Sequence, residues 1–385
     1  MNPTYKHFHR IAWAAVLLTL VVIGFGGFVR LSHAGLSCPD WPTCYGRATW
    51  PVHDADVATA NASFERAVEV SKAWREQFHR HIAATLGLLV LTLSLLEAKR
   101  RKHHIWIPVL CSTLVAASIP LYMFGHHSTA FALAGSGILG LLGFAFKSGP
   151  EPYIRFTAIL LAVIIFQAML GMWTVTWLLK PIVVMSHLLG GLTTFSLLTW
   201  LAWRATPNTE LIQGDAIWLK KMLWIGLGLL VIQIALGGWT SANYAALACG
   251  TDFPKCSGQW WPEHDFSEAL VLWRGIGVDY EGGVLDGPAR VAIQLMHRGM
   301  ALVVVVYLLF VAIKMIRTPG LVYWGSLLAI VLTTQVALGI TNVLKGLPLW
   351  SAVAHNVGAA LLLFVVVGLL ARLREPEQNP EPLAG

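Results

Sequence analysis

Charged residues are scarce in this chain of 385 residues. Asp, Glu, Lys and Arg make up 12% of the sequence, whereas hydrophobic residues make up 56% and Trp alone occurs 17 times. Soluble globular domains contain about 25% charged residues, and the mean hydropathy here is +0.64. The composition therefore excludes a soluble domain of this length and predicts a polytopic membrane protein.

Acidic residues are fewer than basic ones. The chain has 20 Asp and Glu against 27 Lys and Arg, and its formal net charge is +7. A basic chain can bind nucleic acid, but these basic residues fall in short clusters between apolar segments, as is typical of the cytoplasmic ends of membrane spans. We therefore attribute the charge to membrane topology and predict no nucleic-acid partner.

Ten apolar segments approach the roughly 20 residues that a helix needs to cross a bilayer. They cover residues 11–30, 79–97, 105–124, 128–147, 155–178, 183–203, 218–240, 292–314, 321–343 and 350–371. The first segment is long enough to be a retained span, and no cleavable signal sequence is predicted.

If every segment crosses, nearly all the basic clusters lie on one side of the bilayer, and Lys180 and Lys345 are single exceptions in the short connections on the other side. The positive-inside rule then places both termini in the cytoplasm and the long loops 31–78 and 241–291 outside. We expect the protein to lie in the plasma (inner) membrane.

The two outer loops resemble each other, which indicates an internal duplication. Cys38 and Cys44 with a following Trp-Pro in the first loop match Cys249 and Cys256 with a following Trp-Pro in the second. The helical motif Gln-x-x-x-Gly is repeated at Gln167, Gln233 and Gln335. These repeats predict two bundles of the same orientation, which we assign to residues 1–210 and 211–385.

The two copies differ in length. The interval from His79 to His187 is about 50 residues longer than the interval from His297 to His355, which is enough for about two extra crossings. We place the inserted hairpin at about 103–150, with His126 and His127 at its outer turn. Solvent exposure is the favoured interpretation of these two histidines, and a metal site is the alternative.

Four of the 14 histidines lie near the outer ends of predicted spans, in two pairs related by the duplication: His79 with His187, and His297 with His355. A histidine in an apolar helix indicates a functional site. Two imidazoles facing each other across a bundle can supply both axial ligands of a haem iron. Zinc would need a third or fourth ligand, and no Cys, Asp or Glu recurs at that depth.

An acidic residue distinguishes the amino-terminal histidine pair from the carboxy-terminal pair. Glu76 and His79 are three residues apart and share a helical face, whereas the residue equivalent to Glu76 before His297 is Gln294. A carboxylate offers a base or a stabilising charge, and glutamine cannot ionise. The alternative is that Glu76 only stabilises a helix start through the helix dipole.

Small and basic residues accompany the histidines. Gly190 and Gly358, one turn after His187 and His355, are expected to let a flat macrocycle approach the helix. Arg80 and Arg298, each following a histidine, are expected to bind propionates by charge-assisted hydrogen bonds. The alternative for each arginine is an extended side chain that reaches the lipid headgroups.

Four of the five cysteines form short-spaced pairs on the outer, oxidising side. Disulfides Cys38–Cys44 and Cys249–Cys256 are therefore predicted, and metal binding is the disfavoured alternative. Structural stapling is the commoner role for such bonds, although the exposed position of the first permits thiol exchange. Cys111 is predicted to be an inert core thiol.

Together these features resemble the haem A synthase family over nearly the full length. The resemblance is carried by the loop 35–46, the Glu76-x-x-His79-Arg80 element, the segment 172–176 before His187, and the later His297-Arg298 and His355. Members usually have eight crossings, so residues 103–150 depart from the pattern. The expected fold is an all-α membrane protein with two pseudo-symmetric four-helix bundles and an extra hairpin.

The resemblance implies an oxidoreductase that oxidises a ring methyl of haem O to the formyl group of haem A, with water as the oxygen source. It implies that His79 and His187 hold the substrate haem O and that His297 and His355 hold a permanent haem b. Glu76 would stabilise a developing cation or take a proton from water. The haem O synthase is an expected partner, an electron acceptor is required, and an oligomer is compatible with the sequence.

Two other classes of protein share part of this pattern. A di-haem electron carrier of the quinol-oxidising kind would use both histidine pairs, but it leaves Glu76 and the outer cysteines unexplained. A solute transporter built from parallel repeats would place its polar groups near the midplane, whereas here they cluster at the outer edge.

Overall fold

The computed structural model describes residues 3–99, 105–148, 152–206 and 216–373, and within these ranges the chain forms helices and loops without a strand. The elements are α1 (Pro3–Leu31), α2 (Asp54–Ser63), α3 (Val70–Lys99), α4 (Trp106–Met123), α5 (His127–Lys147), α6 (Pro152–Thr176), α7 (Pro181–Ala205), α8 (Ala216–Ala242), α9 (Phe266–Ala269), α10 (Gly287–Ile316), α11 (Val322–Leu344) and α12 (Leu349–Arg372). The predicted boundary at 210 and 211 and the basic residues 100–102 and 374 lie outside the described residues.

Ten of the described helices are long and apolar enough to cross a membrane, which confirms the predicted number of crossings. Three of them begin five or more residues earlier than predicted, since α1 starts at Pro3, α3 at Val70 and α10 at Gly287. The Asp286 carboxylate caps α10 by accepting a hydrogen bond from the Ala289 N–H at 2.9 Å,. As a result His79 and His297 lie about three turns inside their helices.

The spanning helices form two four-helix bundles. Helices α1, α3, α6 and α7 make the amino-terminal bundle, and α8, α10, α11 and α12 make the carboxy-terminal bundle. Helices α3 and α7 each pack against the other two members of their bundle, so they stand diagonally, and α10 and α12 do the same. The bundles meet where α12 packs against α1 and α7, and Leu198, Leu363 and Val366 are buried in a shared apolar core.

The inserted segment forms the hairpin α4–α5 outside the amino-terminal bundle. Helix α5 packs against α6, and α4 touches α3 more sparsely. The two hairpin helices approach closely at glycines, since a Cβ at Gly137 would lie 2.8 Å from the Cys111 carbonyl oxygen. Cys111 is buried and free, as the sequence predicts.

Both predicted disulfides, Cys38–Cys44 and Cys249–Cys256, are present in the two long loops. The expectation that the first disulfide is exposed is wrong, because Cys38 and Cys44 are both buried. Contacts between the loops and the opposite bundle tie the two halves together at this end. Arg30 of α1 donates to the Ser241 carbonyl at 2.7 Å and to the Tyr244 hydroxyl at 3.1 Å. Arg66 in the first loop forms an ion pair with Glu281 in the second.

Lys180, which the sequence predicts to lie on the outer side, is buried. Its side chain is 1% exposed, and its Nζ lies 3.3 Å from the centroid of the Trp273 ring in the second loop. Burial lowers the pKa of Lys180, while the aromatic face partly compensates the lost hydration of the ammonium. Lys180 is therefore a packing contact between the halves rather than a free surface charge.

Candidate functional site

A cavity of about 860 Å³ is lined mainly by the amino-terminal bundle and by the first disulfide loop. Its lining includes His79 from α3 and His187 from α7, which the diagonal arrangement of these helices brings to the same space. The two imidazoles are close enough to interact electrostatically. In the carboxy-terminal bundle His297 and His355 interact in the same way. The structure thus brings each predicted pair together inside its own bundle.

Each of the four histidine rings lies against a glycine of a neighbouring helix. A Cβ at Gly26 of α1 would be only 2.8 Å from Cε1 of His79, so the ring occupies space that any other residue would fill. The equivalent distances to Cε1 of the ring are 3.2 Å for Gly171 and His187, 3.1 Å for Gly237 and His297, and 3.0 Å for Gly339 and His355. Sequence analysis missed Gly26 as a member of this set.

Glutamines contact three of the four rings. Gln167 Nε2 lies 3.0 Å from His187 Nδ1, and Gln233 Nε2 lies 3.1 Å from His297 Nδ1. Gln335 Nε2 lies 3.4 Å from the Nε2 atom of His355. Such contacts help to fix the orientation of an imidazole ring. The Gln-x-x-x-Gly motif therefore combines a polar contact to the ring with the glycine beneath it.

The fourth ring, that of His79, has no such partner. Val22 occupies the place in α1 that is one turn before Gly26, where the other three helices have glutamine. The buried Nδ1 atom of His79 accordingly makes no hydrogen bond. His79 is thus the one predicted ligand of the four that no glutamine contacts, although the buried Nδ1 atom of His355 also lacks a partner.

Gly190 and Gly358 have a different role from the one that we expected. A Cβ at Gly190 would lie 2.1 Å from Oε1 of Gln167, and a Cβ at Gly358 would lie 2.1 Å from Oε1 of Gln335. These glycines make room for the glutamines that contact the histidines. The expectation that they admit a macrocycle is wrong, because their Cα hydrogens point at the amide side chains.

Glu76 and Arg80 line the cavity and also hold the first disulfide loop above it. Glu76 is 4% exposed, and its Oε2 atom accepts hydrogen bonds from the Cys38 N–H at 2.8 Å and from the Ser37 hydroxyl at 3.0 Å. Its Oε1 atom pairs with Arg80 at 2.7 Å. The carboxylate is therefore fixed one turn from His79 by three donors.

Arg80 is turned toward the loop rather than toward the lipid headgroups. Its guanidinium donates to the carbonyls of Cys38 at 3.2 Å, Asp40 at 2.8 Å and Thr43 at 2.7 Å. The structure adds this loop contact to the propionate role, which stays a prediction. Arg298 makes the corresponding contacts in the other bundle, donating to the carbonyls of Asp252 at 3.0 Å and Lys255 at 2.9 Å.

The carboxy-terminal bundle has matching contacts around its histidines, but glutamine replaces the acidic residue. Gln294, at the position of Glu76, donates to the Ala246 carbonyl at 3.1 Å, and its buried Oε1 atom has no partner. The difference that the sequence predicts between the bundles is therefore present inside two otherwise matched sites.

Three further histidines lie apart from these pairs. His126 and His127 are exposed at the turn between α4 and α5, as the solvent interpretation predicts. His81 lines the rim of the cavity and lies 2.9 Å from the Ala48 carbonyl through Nε2. Among the described residues no group of three or more His, Cys, Asp and Glu is placed to hold a metal ion.

The cavity also includes residues that sequence analysis did not assign to it. Gly237, Ser241 and Asn356 reach it from the carboxy-terminal bundle, and side chains of the hairpin close one side. Asn356 directly follows the predicted ligand His355. The cavity is therefore shared by both bundles and the insertion.

A duplicated four-helix bundle with a diagonal histidine pair in each copy is an arrangement found in membrane proteins that bind haem. Residues 9–367 match the model of the COX15-CtaA family, described as cytochrome oxidase assembly protein. The chain belongs to this family.

Individual relatives agree with this assignment. The chain is 38% identical to a heme A synthase of Shewanella oneidensis over 91% of its own length and 92% of the relative. It is 26% identical to a heme A synthase of Paracoccus denitrificans over 95% and 88% of the two chains, and 24% identical to one of Sphingopyxis alaskensis over 94% and 91%.

Proposed function

We propose that this protein is a haem A synthase, an oxidoreductase that converts haem O to haem A, and that the amino-terminal cavity is where the substrate reacts. The observation that carries the assignment of the reacting side is the buried carboxylate of Glu76. It lines the cavity beside His79, and the matched position in the other bundle is Gln294.

The residues present fit a haem in each bundle. Two imidazoles on diagonal helices are the donor set that a six-coordinate haem iron uses, and a glycine of a neighbouring helix makes room for each ring. The cavity of about 860 Å³ is within the range of cofactor and ligand sites, roughly 300–1,000 Å³. We assign His79 and His187 to the substrate haem O, and His297 and His355 to a resident haem b.

Oxidation of a methyl group to a formyl group with oxygen from water releases four electrons and four protons. The resident haem b, when bound, supplies a carrier for electrons on their way to an external acceptor. Glu76 is positioned to take a proton from a water molecule near the reacting methyl group. Each carboxylate oxygen can accept about two hydrogen bonds, so the three donors from the protein leave capacity for that water.

The loop contacts give this carboxylate its fixed position. Arg80 and the Cys38 N–H bind Glu76 and are themselves held by the disulfide loop. Such preorganisation lets a general base act without reorganising its surroundings. We assign the Cys38–Cys44 disulfide a structural role in holding this arrangement.

We also propose that both termini are cytoplasmic and that the haem sites lie toward the outer side of the plasma (inner) membrane. Basic residues occur in the last turns of α3, α5, α7, α10 and α12, which are the helices that would end on the cytoplasmic side. This placement satisfies the positive-inside rule. Residues 1–210 would form the substrate domain and 211–385 the haem b domain.

Pigment analysis of the purified full-length protein tests the proposal. We expect haem b together with haem O or haem A, and formation of haem A when haem O and an electron acceptor are added. Haem b alone in every preparation, without haem A formation, would instead support the di-haem electron carrier, which has no use for Glu76.

A further inference from the structure

The cavity at the predicted substrate site extends far beyond the two histidines. On α3 its lining runs from Glu76 to Leu91, and on α4 from Tyr122 to Ser112. A separation of fifteen positions in a helix corresponds to about 22 Å along its axis. The cavity is therefore an elongated groove that leads from the outer histidines toward the middle of the membrane.

The inserted hairpin forms one wall of this groove. The residues that α4 and α5 contribute include Val115, Ile119, Tyr122, Phe131 and Ala134. Most of these side chains are apolar. Ser118 already donates to the Val115 carbonyl at 2.7 Å. Helix α4 touches α3 only sparsely, which leaves the groove between them. An extended apolar chain would pack well against this wall of the groove.

The opposite wall of the groove is formed by α3. At two positions there, α3 has small residues where the carboxy-terminal bundle has larger ones. When Glu76, His79 and Arg80 are aligned with Gln294, His297 and Arg298, Ala84 aligns with Leu302 and Gly87 aligns with Val305. A Cβ at Gly87 would meet no atom within 4 Å. The carboxy-terminal bundle therefore has larger side chains at the positions where the amino-terminal bundle has open space, and it has no hairpin.

The two haems assigned to these bundles also differ, because only the substrate haem carries a long apolar side chain. Haem O has the ring of haem b with a long isoprenoid side chain added, and the chain remains in haem A. We infer that α4–α5 and the Ala84–Gly87 surface of α3 bind the isoprenoid side chain of the substrate. This inference rests on the proposed function, because it assigns the tail-bearing haem to the amino-terminal bundle.

Gly87→Val tests the inference by filling the groove with the residue found at the equivalent position of the other bundle. Because the Cβ of residue 87 enters open space, we expect the variant to fold. Gly143→Val is the matched control. Gly143 lies on the exposed side of α5, its Cβ would also meet no atom within 4 Å, and it does not line the groove.

The measurement is a spectroscopic titration of the purified full-length protein with haem O and, separately, with haem b, while the resident haem stays bound. We expect Gly87→Val to weaken haem O binding at the amino-terminal site by about tenfold or more and to leave haem b binding there unchanged. Gly143→Val should change neither. Equal weakening of both haems, or no weakening of haem O, would overturn the inference.

Two further outcomes separate this inference from the proposed function. If the wild-type protein binds neither haem at His79 and His187, the proposed function fails. If it binds haem O and Gly87→Val has no effect, only the tail site fails. Mass spectrometry of co-purified lipid tests whether the groove binds a phospholipid instead. If Gly87→Val loses a bound phospholipid and its haem O affinity is unchanged, the groove is a lipid site and the inference is overturned.

Discussion

Gln233 Nε2 lies 3.1 Å from Nδ1 of His297, whereas Val22 stands at the equivalent position beside His79 and the Nδ1 atom of His79 has no partner. A site that retains its haem benefits from a fixed ligand, and a site that must exchange substrate for product benefits from a looser one. The one missing glutamine lies in the bundle to which we assign the substrate.

Val22→Gln should therefore restrain His79 and slow exchange at the substrate site. Groups that support a metal-ligating histidine typically change affinity by about 10- to 100-fold, so we expect dissociation of haem O or haem A to slow by about tenfold. Stopped-flow transfer of the pigment to an acceptor protein measures this rate. The control is Gln233→Val, which should loosen haem b instead. An unchanged rate for Val22→Gln would show that the missing contact has no functional role.

His297→Ala and His355→Ala should each abolish the normal haem b spectrum, because each removes one of the two predicted axial ligands. Optical spectra and haem extraction per mole of protein measure the loss. His264→Ala is a suitable control, since His264 lies in the second outer loop and contacts the Pro262 carbonyl. A normal spectrum in both axial variants would refute the assignment of this pair.

Glu76→Gln should leave haem O bound and reduce formation of haem A by about 100-fold or more, the usual contribution of a general base. The amide can still accept from Cys38 or Ser37, so the loop should stay in place, and mass spectrometry of the intact protein can verify the disulfide. Gln294→Glu is the reciprocal control and should not create activity in the other bundle. Continued haem A output from Glu76→Gln would remove this residue from the mechanism.

Gly237→Ala and Gly228→Ala compare two glycines of the same helix. A Cβ at Gly237 would lie 3.1 Å from Cε1 of His297, whereas a Cβ at Gly228 meets nothing within 4 Å. Both substitutions improve helix propensity by up to about 1 kcal/mol, but only Gly237→Ala should displace the ring and lower haem b content. Haem content and the thermal transition are measured together. Full haem content in Gly237→Ala would mean that the ring moves without loss of ligation.

Much of this architecture follows from sequence alone, because hydropathy and duplication are properties of the chain itself. The ten spans, both disulfides and the pairing of His79 with His187 could be predicted from segment length and repeated spacing. The Gln-x-x-x-Gly motif was visible, but its contact with a histidine was not, since Gln233 and His297 are 64 residues apart. Nothing in the sequence of the hairpin indicates that Ile119 lines the cavity that contains His79 and His187.

The role of Gly190 is a second feature that the sequence alone does not determine. A glycine one turn after a ligand is compatible with a close macrocycle or with a close side chain, and only the position of Gln167 decides between them. Likewise the sequence shows that Arg80 follows a histidine, but the direction of its guanidinium depends on where the loop carbonyls lie. Contacts between distant segments therefore determine what the local pattern leaves open.

Replacing both Cys38 and Cys44 by Ser should impair the substrate site and spare the haem b site. Opening such a short loop removes about 2–3 kcal/mol of stabilisation, and it loosens the carbonyls that bind Arg80 and the N–H that binds Glu76. We expect haem A formation to fall while the haem b spectrum stays normal. The matched Cys249 and Cys256 double variant should instead affect haem b content.

Temperature distinguishes a structural disulfide from one that exchanges electrons. If the bond only orders the loop, the double serine variant should recover part of its activity on cooling, because the ordered loop becomes more populated. If the bond takes part in electron transfer, the variant should be inactive at every temperature, since serine cannot replace a redox-active thiol. The buried carboxylate of Glu76, bound directly to the Cys38 N–H, favours the first outcome, and inactivity throughout would contradict it.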